Sequence, residues 1–457
     1  MEHIPLVSML DPRTSYMIVL LEQIMPSTPR LIHLSIASQS SILSSLSKTA
    51  TTVENLRRFV ASIFLQSQSQ YIKPSQSAAT YIRKTTITRT CEAFADAIDY
   101  EIRSLDAWCA RREEVMCRAS AGIDEDDVVV SLLGTEKAAR DQYETSFEVL
   151  LDIVQNVFDV KEGFSEHASF PAMGRRSPAA VTAFLLDSLF AHVQEHLERG
   201  DTVTSDTLMR VFVRSAEPVW GMIGKWLKDG MGLGLAIGRG GVSGQADELD
   251  EEFFIESTGV GVGLMAMGLL DPEFWKEGYS LREGVVLGED ESRIHEEKKA
   301  IPAFLEHVAE LVLGTGKAVG LIRALGIPPS ANGFGKWRSF AEVVSSNSPA
   351  VGRSGQDGGA LFSVSVDTLS RLIYDGLLPR CQASGSLLAK VLVDDCDLWK
   401  HLGSIEDLYL MRKGDAVSHY IDVLFAKVGH FLAIEFTWLN DLLIRWTPIN
   451  PGVTFIS

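Results

Sequence analysis

The chain has little that would support chemistry at a thiol or a metal. Its 457 residues include five cysteines, Cys91, Cys109, Cys117, Cys381 and Cys396, an odd number with no CxxC pair and no tight grouping with histidine. Neither a disulfide framework nor a zinc finger is indicated, and a reducing compartment fits. Long hydrophobic runs are missing as well. The longest candidate, residues 259–270, is about half of the roughly 20 residues that span a bilayer, and glycines interrupt it. Residues 1–10 hold no Lys or Arg, so the basic start of a signal peptide is not seen. A cytosolic protein without membrane insertion is expected. Positive charge is scarce too: 42 Lys and Arg stand against 60 Asp and Glu, a formal charge of −18. Binding to nucleic acid or to an anionic membrane relies on clustered cations, so the partners expected here are proteins.

What the chain does have is helical periodicity over a length that can bury one large core or two to three ordinary ones. From about Thr90 to Ala121, the residues Phe94, Ile98, Ile102, Leu105, Cys109 and Met116 recur on one helical face. Ser177 and Pro178 announce a second helix, with an N-cap and a proline at the first position, that closes at Gly200. Val181, Leu185, Leu189, Val193 and Leu197 form its buried row. A third runs from Ile301 to Gly326. The glycines Gly314, Gly316 and Gly320 inside it each cost about 1 kcal/mol relative to alanine, so a close helix approach is expected to compensate. Segments 35–47 and 66–77 are rich in Ser and Gln and read as irregular; 230–244 is rich in Gly. Residues 345–359, rich in Ser and Gly, make the best domain boundary. Acidic charge concentrates at 245–297, with fifteen acids against three basic residues, which reads as solvated surface.

Three motifs invite a chemical reading. His192, Glu195 and His196 spell HxxEH, an order found in one class of zinc peptidases, where i and i+4 ligands share a helical face and the Glu serves as general base. Both histidines lie on or beside the apolar row of their helix, where a packed histidine is the commoner outcome, and no third ligand stands out. Gly232, Gly234 and Gly238 give GxGxxxG, one residue too long for a dinucleotide fingerprint, with no strand before it. Gly314, Gly316 and Lys317 are similar to part of a phosphate loop, but Leu311 replaces the first glycine and Ala318 the magnesium-binding hydroxyl. No GxSxG elbow or cysteine signature is present. No coherent active site, and no cofactor, is expected.

Five segments nevertheless stand in an informative order: EPVWGMIGKWLKDG at 217–230, DEEFFIE at 250–256, DPEFWKEGYSLR at 271–282, IPAFLEHVAELVLGTGKAVGLIRALG at 301–326, and SIEDLYLMRKGDAVSHYIDVLF at 404–425. The first is an amphipathic helix in its own right, with Trp220 and Trp226 as expected core residues. Taken in this order, the segments resemble those of the gamma-tubulin complex component family, the grip-domain or spindle pole body component type. Residues 90–118 resemble the divergent fifth-type component of fungi.

The resemblance implies an all-α fold of successive helical bundles. It assigns 1–89 to a poorly matched helical or low-complexity region and 90–344 to a first conserved domain for lateral association, with a loop at about 230–250. A linker follows at 345–359, then the start of a second, gamma-tubulin-binding type of domain at 360–427, and a divergent tail at 428–457. It implies a scaffold that is not an enzyme and that joins gamma-tubulin and other gamma-tubulin complex components in microtubule nucleation. Its place would be the cytoplasm and cytoskeleton, at the microtubule-organising centre or spindle pole body. The departure is at the C-terminus, where the last thirty residues do not resemble the continuation of the second domain; most of the gamma-tubulin-binding lobe is expected to be absent. An incomplete final bundle would follow, with Trp438, Leu439, Leu442, Leu443 and Trp446 as its candidate apolar face. The alternatives are a helical zinc hydrolase through His192, Glu195 and His196, and a generic helical interaction protein.

Overall fold

The structure, a computed structural model, describes residues 36–71, 87–121, 132–158, 177–231, 250–258, 272–282, 300–327, 336–345, 365–410 and 412–428. Outside them lie Gly232, Gly234 and Gly238 with the rest of 232–249, residues 283–299 of the acidic block, 346–359 of the linker, and 429–457 of the tail with Trp438, Leu439, Leu442, Leu443 and Trp446. The fold is all-α. The chain divides into two compact units, Met1–Gln382 and Ala383–Ser457.

The first unit opens with α1, Ile36–Tyr71, a single 36-residue helix. Residues 36–47 and 66–71, expected to be irregular from their Ser and Gln content, are therefore helical. Tertiary packing overrides composition here: Val53, Leu56, Phe59, Val60 and Ile63 bury one face. The small polar residues fit because their hydroxyls donate back into the helix, as Thr51 does to the Ser47 carbonyl at 2.8 Å and Ser62 to Phe59 at 2.7 Å. Helix α2, Arg89–Ala121, packs on α1 through Phe94, Ile98, Ile102, Leu105 and Cys109. The expected row stops at Cys109; Met116, among the charged residues of the last turns, is exposed. Helices α3, Leu132–Ala139, and α4, Thr145–Phe158, run together through a wider π turn, Arg140–Glu144. That turn aims Tyr143 inward, edge-on to Trp108 and stacked on Phe147.

Helix α5, Pro178–Glu198, starts as its sequence demands, with the Ser177 hydroxyl accepting from the Ala180 N–H at 3.3 Å. Helix α6, Thr202–Asp229, is the hub, packing on α2, α4, α5, and the later α8 and α9. Asp201 caps it by accepting from Thr204 N–H, and Gly230, at φ 67°, ends it. Between them, Leu208, Val211, Phe212, Val219, Ile223 and Trp226 are all buried. Arg210 crosses to α2 with a bidentate pair to the buried Glu101, both bonds 3.0 Å.

A two-stranded antiparallel ribbon follows, β1, Ile255–Ser257, against β2, Tyr279–Leu281, with the short α7, Pro272–Glu277, between them in sequence. Helix α8, Glu306–Ala324, begins with a 3-10 turn at Ala303–Leu305, and α9, Phe340–Ser345, is one short piece. Phe212, Phe304 and Phe340 meet edge-on or tilted beneath them. Helix α10, Val366–Lys390, contains the division between the units and passes into a π turn at Val391–Asp395. The second unit continues with α11, Leu398–Tyr409, and α12, Gly414–Val428.

Candidate functional site

The segments singled out by their order in the sequence converge on one junction between α6 and α8. EPVWGMIGKWLKDG forms the C-terminal half of α6, and its two tryptophans point to opposite tasks. Trp226, 2 % exposed, donates its indole N–H to the Val312 carbonyl at 2.9 Å and lies over Gly316. A Cβ at Gly316 would sit 2.0 Å from the indole nitrogen, so only glycine lets the ring reach α8. Gly230 and Met231 then pass over Gly316 and Gly320, with Met231 N–H donating to the Gly316 carbonyl at 3.1 Å. The close approach expected from the α8 glycines is thus made by Gly316 and Gly320, while Gly314 faces open space. Arg323 reaches back to the Asp229 carbonyl and seals the end of α6.

Trp220 turns the other way. It stacks on Trp337, with ring centroids 5.0 Å apart, and donates to the Arg338 carbonyl at 2.9 Å. Gly224, where a Cβ would come within 2.6 Å of the Trp337 ring, makes room for that stack. Glu217, one turn earlier, accepts from the Phe340 N–H at 2.8 Å and so caps α9; burial raises its carboxyl above the ordinary range while the N–H groups of Phe340 and Ala341 oppose the shift.

DEEFFIE supplies the next wall. Phe253 and Phe254 are buried, and Phe253 lies 6.3 Å from Trp226 between ring centroids, with Tyr279 of DPEFWKEGYSLR at 5.4 Å. Glu252 is buried in the interior, accepting from the Arg89 N–H at 2.7 Å, the Thr90 N–H at 2.8 Å and the Thr182 hydroxyl at 3.1 Å. It caps α2 from 162 residues away in sequence and ties it to α5. Burial raises its pKa and those hydrogen bonds hold it back. Asp187 does a similar task for the turn before α8, accepting from the Ala303 N–H at 2.8 Å; burial pushes its carboxyl up to about 6.

Lys317, next to Gly316, has no phosphate-loop setting. It lies in the middle of α8 and donates to the Lys276 carbonyl at the end of α7, at 2.7 Å. His192, Glu195 and His196 share α5, but the two histidines turn to different carboxylates. His192 Nδ1 is 3.3 Å from Glu195, Glu195 also takes a 2.5 Å bond from Arg199, and the buried His196 lies 3.3 Å from Asp201. His196 takes the buried position that the sequence had assigned to Leu197. Among the described residues no group of three His, Cys, Asp or Glu is placed to hold a metal ion. Burial pushes the thiols of Cys91 and Cys109 up to about 12, far from nucleophilic thiolates. The polar groups of this junction bind helices to one another.

Against known proteins, the family model described as gamma tubulin complex component N-terminal matches residues 13–378. The chain belongs to the gamma-tubulin complex component family. None of the curated proteins matches it. The matched span covers α1 through the first half of α10, so every segment of the α6–α8 junction falls inside the gamma-tubulin complex component N-terminal region. The 404–425 segment, with its likeness to a second conserved domain, lies beyond that span.

Sequence reasoning found Gly316, Gly320, Trp220 and Trp226 but missed Gly224 and its partner Trp337. Glu252 and Asp187 were missed as caps, because each acts on a helix more than a hundred residues away. It also missed the β1–β2 ribbon, whose three-residue strands are too short to show alternation.

Proposed function

We propose that this chain is a structural scaffold subunit of the gamma-tubulin complex, supporting microtubule nucleation and organisation at microtubule-organising centres or spindle poles in the cytoplasm. The observation that carries the reading is the family match over 13–378. The packing adds to it: the segments that resemble the family hold helices together, the use a rigid scaffold makes of glycine, tryptophan and buried carboxylates. No catalysis is assigned. In this reading residues 90–344 make lateral contacts with sister components, the 345–359 segment links, and 360–427 begins a second domain of the gamma-tubulin-binding type followed by the 428–457 tail. Among the described residues no helix is long and apolar enough to cross a membrane.

Affinity purification of the endogenously tagged protein, with the co-purifying chains identified by mass spectrometry, tests this. Sister components with gamma-tubulin are the expected catch, and sisters alone would locate the scaffold role in lateral contacts. Recovery of neither would overturn the proposal.

A further inference from the structure

The end of α6 and the segment before α9 carry positive charge without carboxylate partners, in a chain whose formal charge is −18. Lys225 and Lys228 on α6 are exposed, and so are Lys336 and Arg338 ahead of α9. Asp229 is the one acid in the last turn of α6. Among the described residues none of these four cations takes part in an ion pair. Elsewhere in the same unit Arg57, Arg103, Arg118 and Arg210 each hold a carboxylate.

Packing brings the unpaired cations to one surface. Trp337 is held against α6 at Gly224, where a Cβ would come within 2.6 Å of the ring, so Lys336 and Arg338 flank the turn that carries Lys225 and Lys228. From α10, Arg380 sets its guanidinium carbon 5.0 Å from the centre of the Trp337 ring and donates to the Lys336 carbonyl at 3.1 Å. Arg338 is near enough to act on it: burial and that like charge both hold the Arg380 guanidinium below its usual pKa. The acids close by are committed to the start of α9, Glu217 accepting from the Phe340 N–H and Glu342 from the Ser339 N–H. Two guanidinium groups held near one another repel, and an anion that both can reach relieves the repulsion. Their planar forks suit carboxylates.

We propose that Lys225, Lys228, Lys336, Arg338 and Arg380 form a docking surface for an acidic segment of a partner protein, whose Asp or Glu carboxylates bridge Arg338 and Arg380. Nucleic acid fits less well, because Trp337, the aromatic ring of the patch, is engaged by Trp220 and Arg380 rather than offered to a base. A long polyanion or an anionic membrane would also meet the acidic remainder of the chain, which a short acidic segment avoids.

Fluorescence anisotropy of a labelled oligo-glutamate peptide with the full-length chain, at low and at raised salt, tests the proposal. The peptide should bind the wild type and dissociate as salt is raised. Lys225→Glu with Arg338→Glu should weaken binding by about tenfold or more, and Lys225→Gln with Arg338→Gln by less, both keeping the wild-type urea midpoint. Arg103→Glu with Arg118→Glu, the same change of net charge placed on α2, should leave binding unchanged. Failure of the peptide to bind would overturn the proposal, as would binding that survives both Lys225 and Arg338 variants. An equal loss in the α2 variant would make net charge the cause and sink it too. Tighter binding of a single-stranded oligonucleotide or of phosphatidylserine vesicles, lost in the Lys225 and Arg338 variants, would assign the surface to a different anion and overturn the acidic-protein reading.

Discussion

Particular glycines and aromatics of the two units are used in opposite ways. In the first, Gly224, Gly230, Gly316 and Gly320 are spaces into which Trp337, Trp226 and the turn at Met231 fit, with Trp226 buried and Trp337 half-buried. In the second, Gly385, Gly403 and Gly414 have nothing within 4 Å of where a Cβ would stand, and Trp399, Tyr409 and Phe425 are exposed. Composition does not distinguish these uses. The difference lies in whether a neighbouring segment has come close enough to need the missing methyl.

Substitutions can break that contrast, and the largest effect is expected at Gly316. Gly316→Val drives a branched side chain into the Trp226 ring and its hydrogen bond to Val312. A loss of about 3 kcal/mol or more is expected, read as a shift in the urea midpoint of the full chain. Next comes Glu252→Ala, which leaves the N–H groups of Arg89 and Thr90 and the Thr182 hydroxyl without their shared acceptor. About 2–3 kcal/mol should be lost, with exchange of the first turn of α2 speeding before that of the rest of the helix.

The third test uses pH. Asp187 is raised by burial to about 6 from 3.8, so between these values the folded chain binds more protons than the unfolded one. Its contribution is therefore fully present below about pH 4 and is lost as pH rises through about 6, a change of about 2–3 kcal/mol. Asp187→Asn keeps an acceptor for the Ala303 N–H and removes the titration. The difference in stability between wild type and variant should grow in the variant's favour from pH 4 to 7 and then level. The smallest effect sharpens the comparison from the other side. Gly403→Ala in α11 meets no atom within 4 Å and gains helix propensity, so it should be neutral or stabilising by up to about 1 kcal/mol, opposite in sign to the change at Gly316.

These contrasts also explain how much was legible beforehand. Long amphipathic runs such as Phe94 to Cys109 and Val181 to Val193 declare their helix because every turn repeats the same face. The need for a close approach at Gly316 and Gly320 was legible because glycine inside a helix demands a reason. The partner ring was not, since Trp226 and Gly316 are 90 positions apart. Helix α1 was hidden for a different reason: its Ser- and Gln-rich ends have weak patterning, and its fold depends on what Phe59 meets, with Phe94 at 5.9 Å and Phe158 at 5.1 Å between ring centroids. His192, Glu195 and His196 had spacing suited to a metal, but spacing within one helix leaves open which partner each side chain turns toward.

The scaffold role is tested most directly by the size at which the protein travels in native extract. Gradient sedimentation of the endogenously tagged chain should place it in a large assembly, in the same fractions as sister components of the gamma-tubulin complex. Migration only as a free chain near its own 50.2 kDa, apart from those components, would contradict the account.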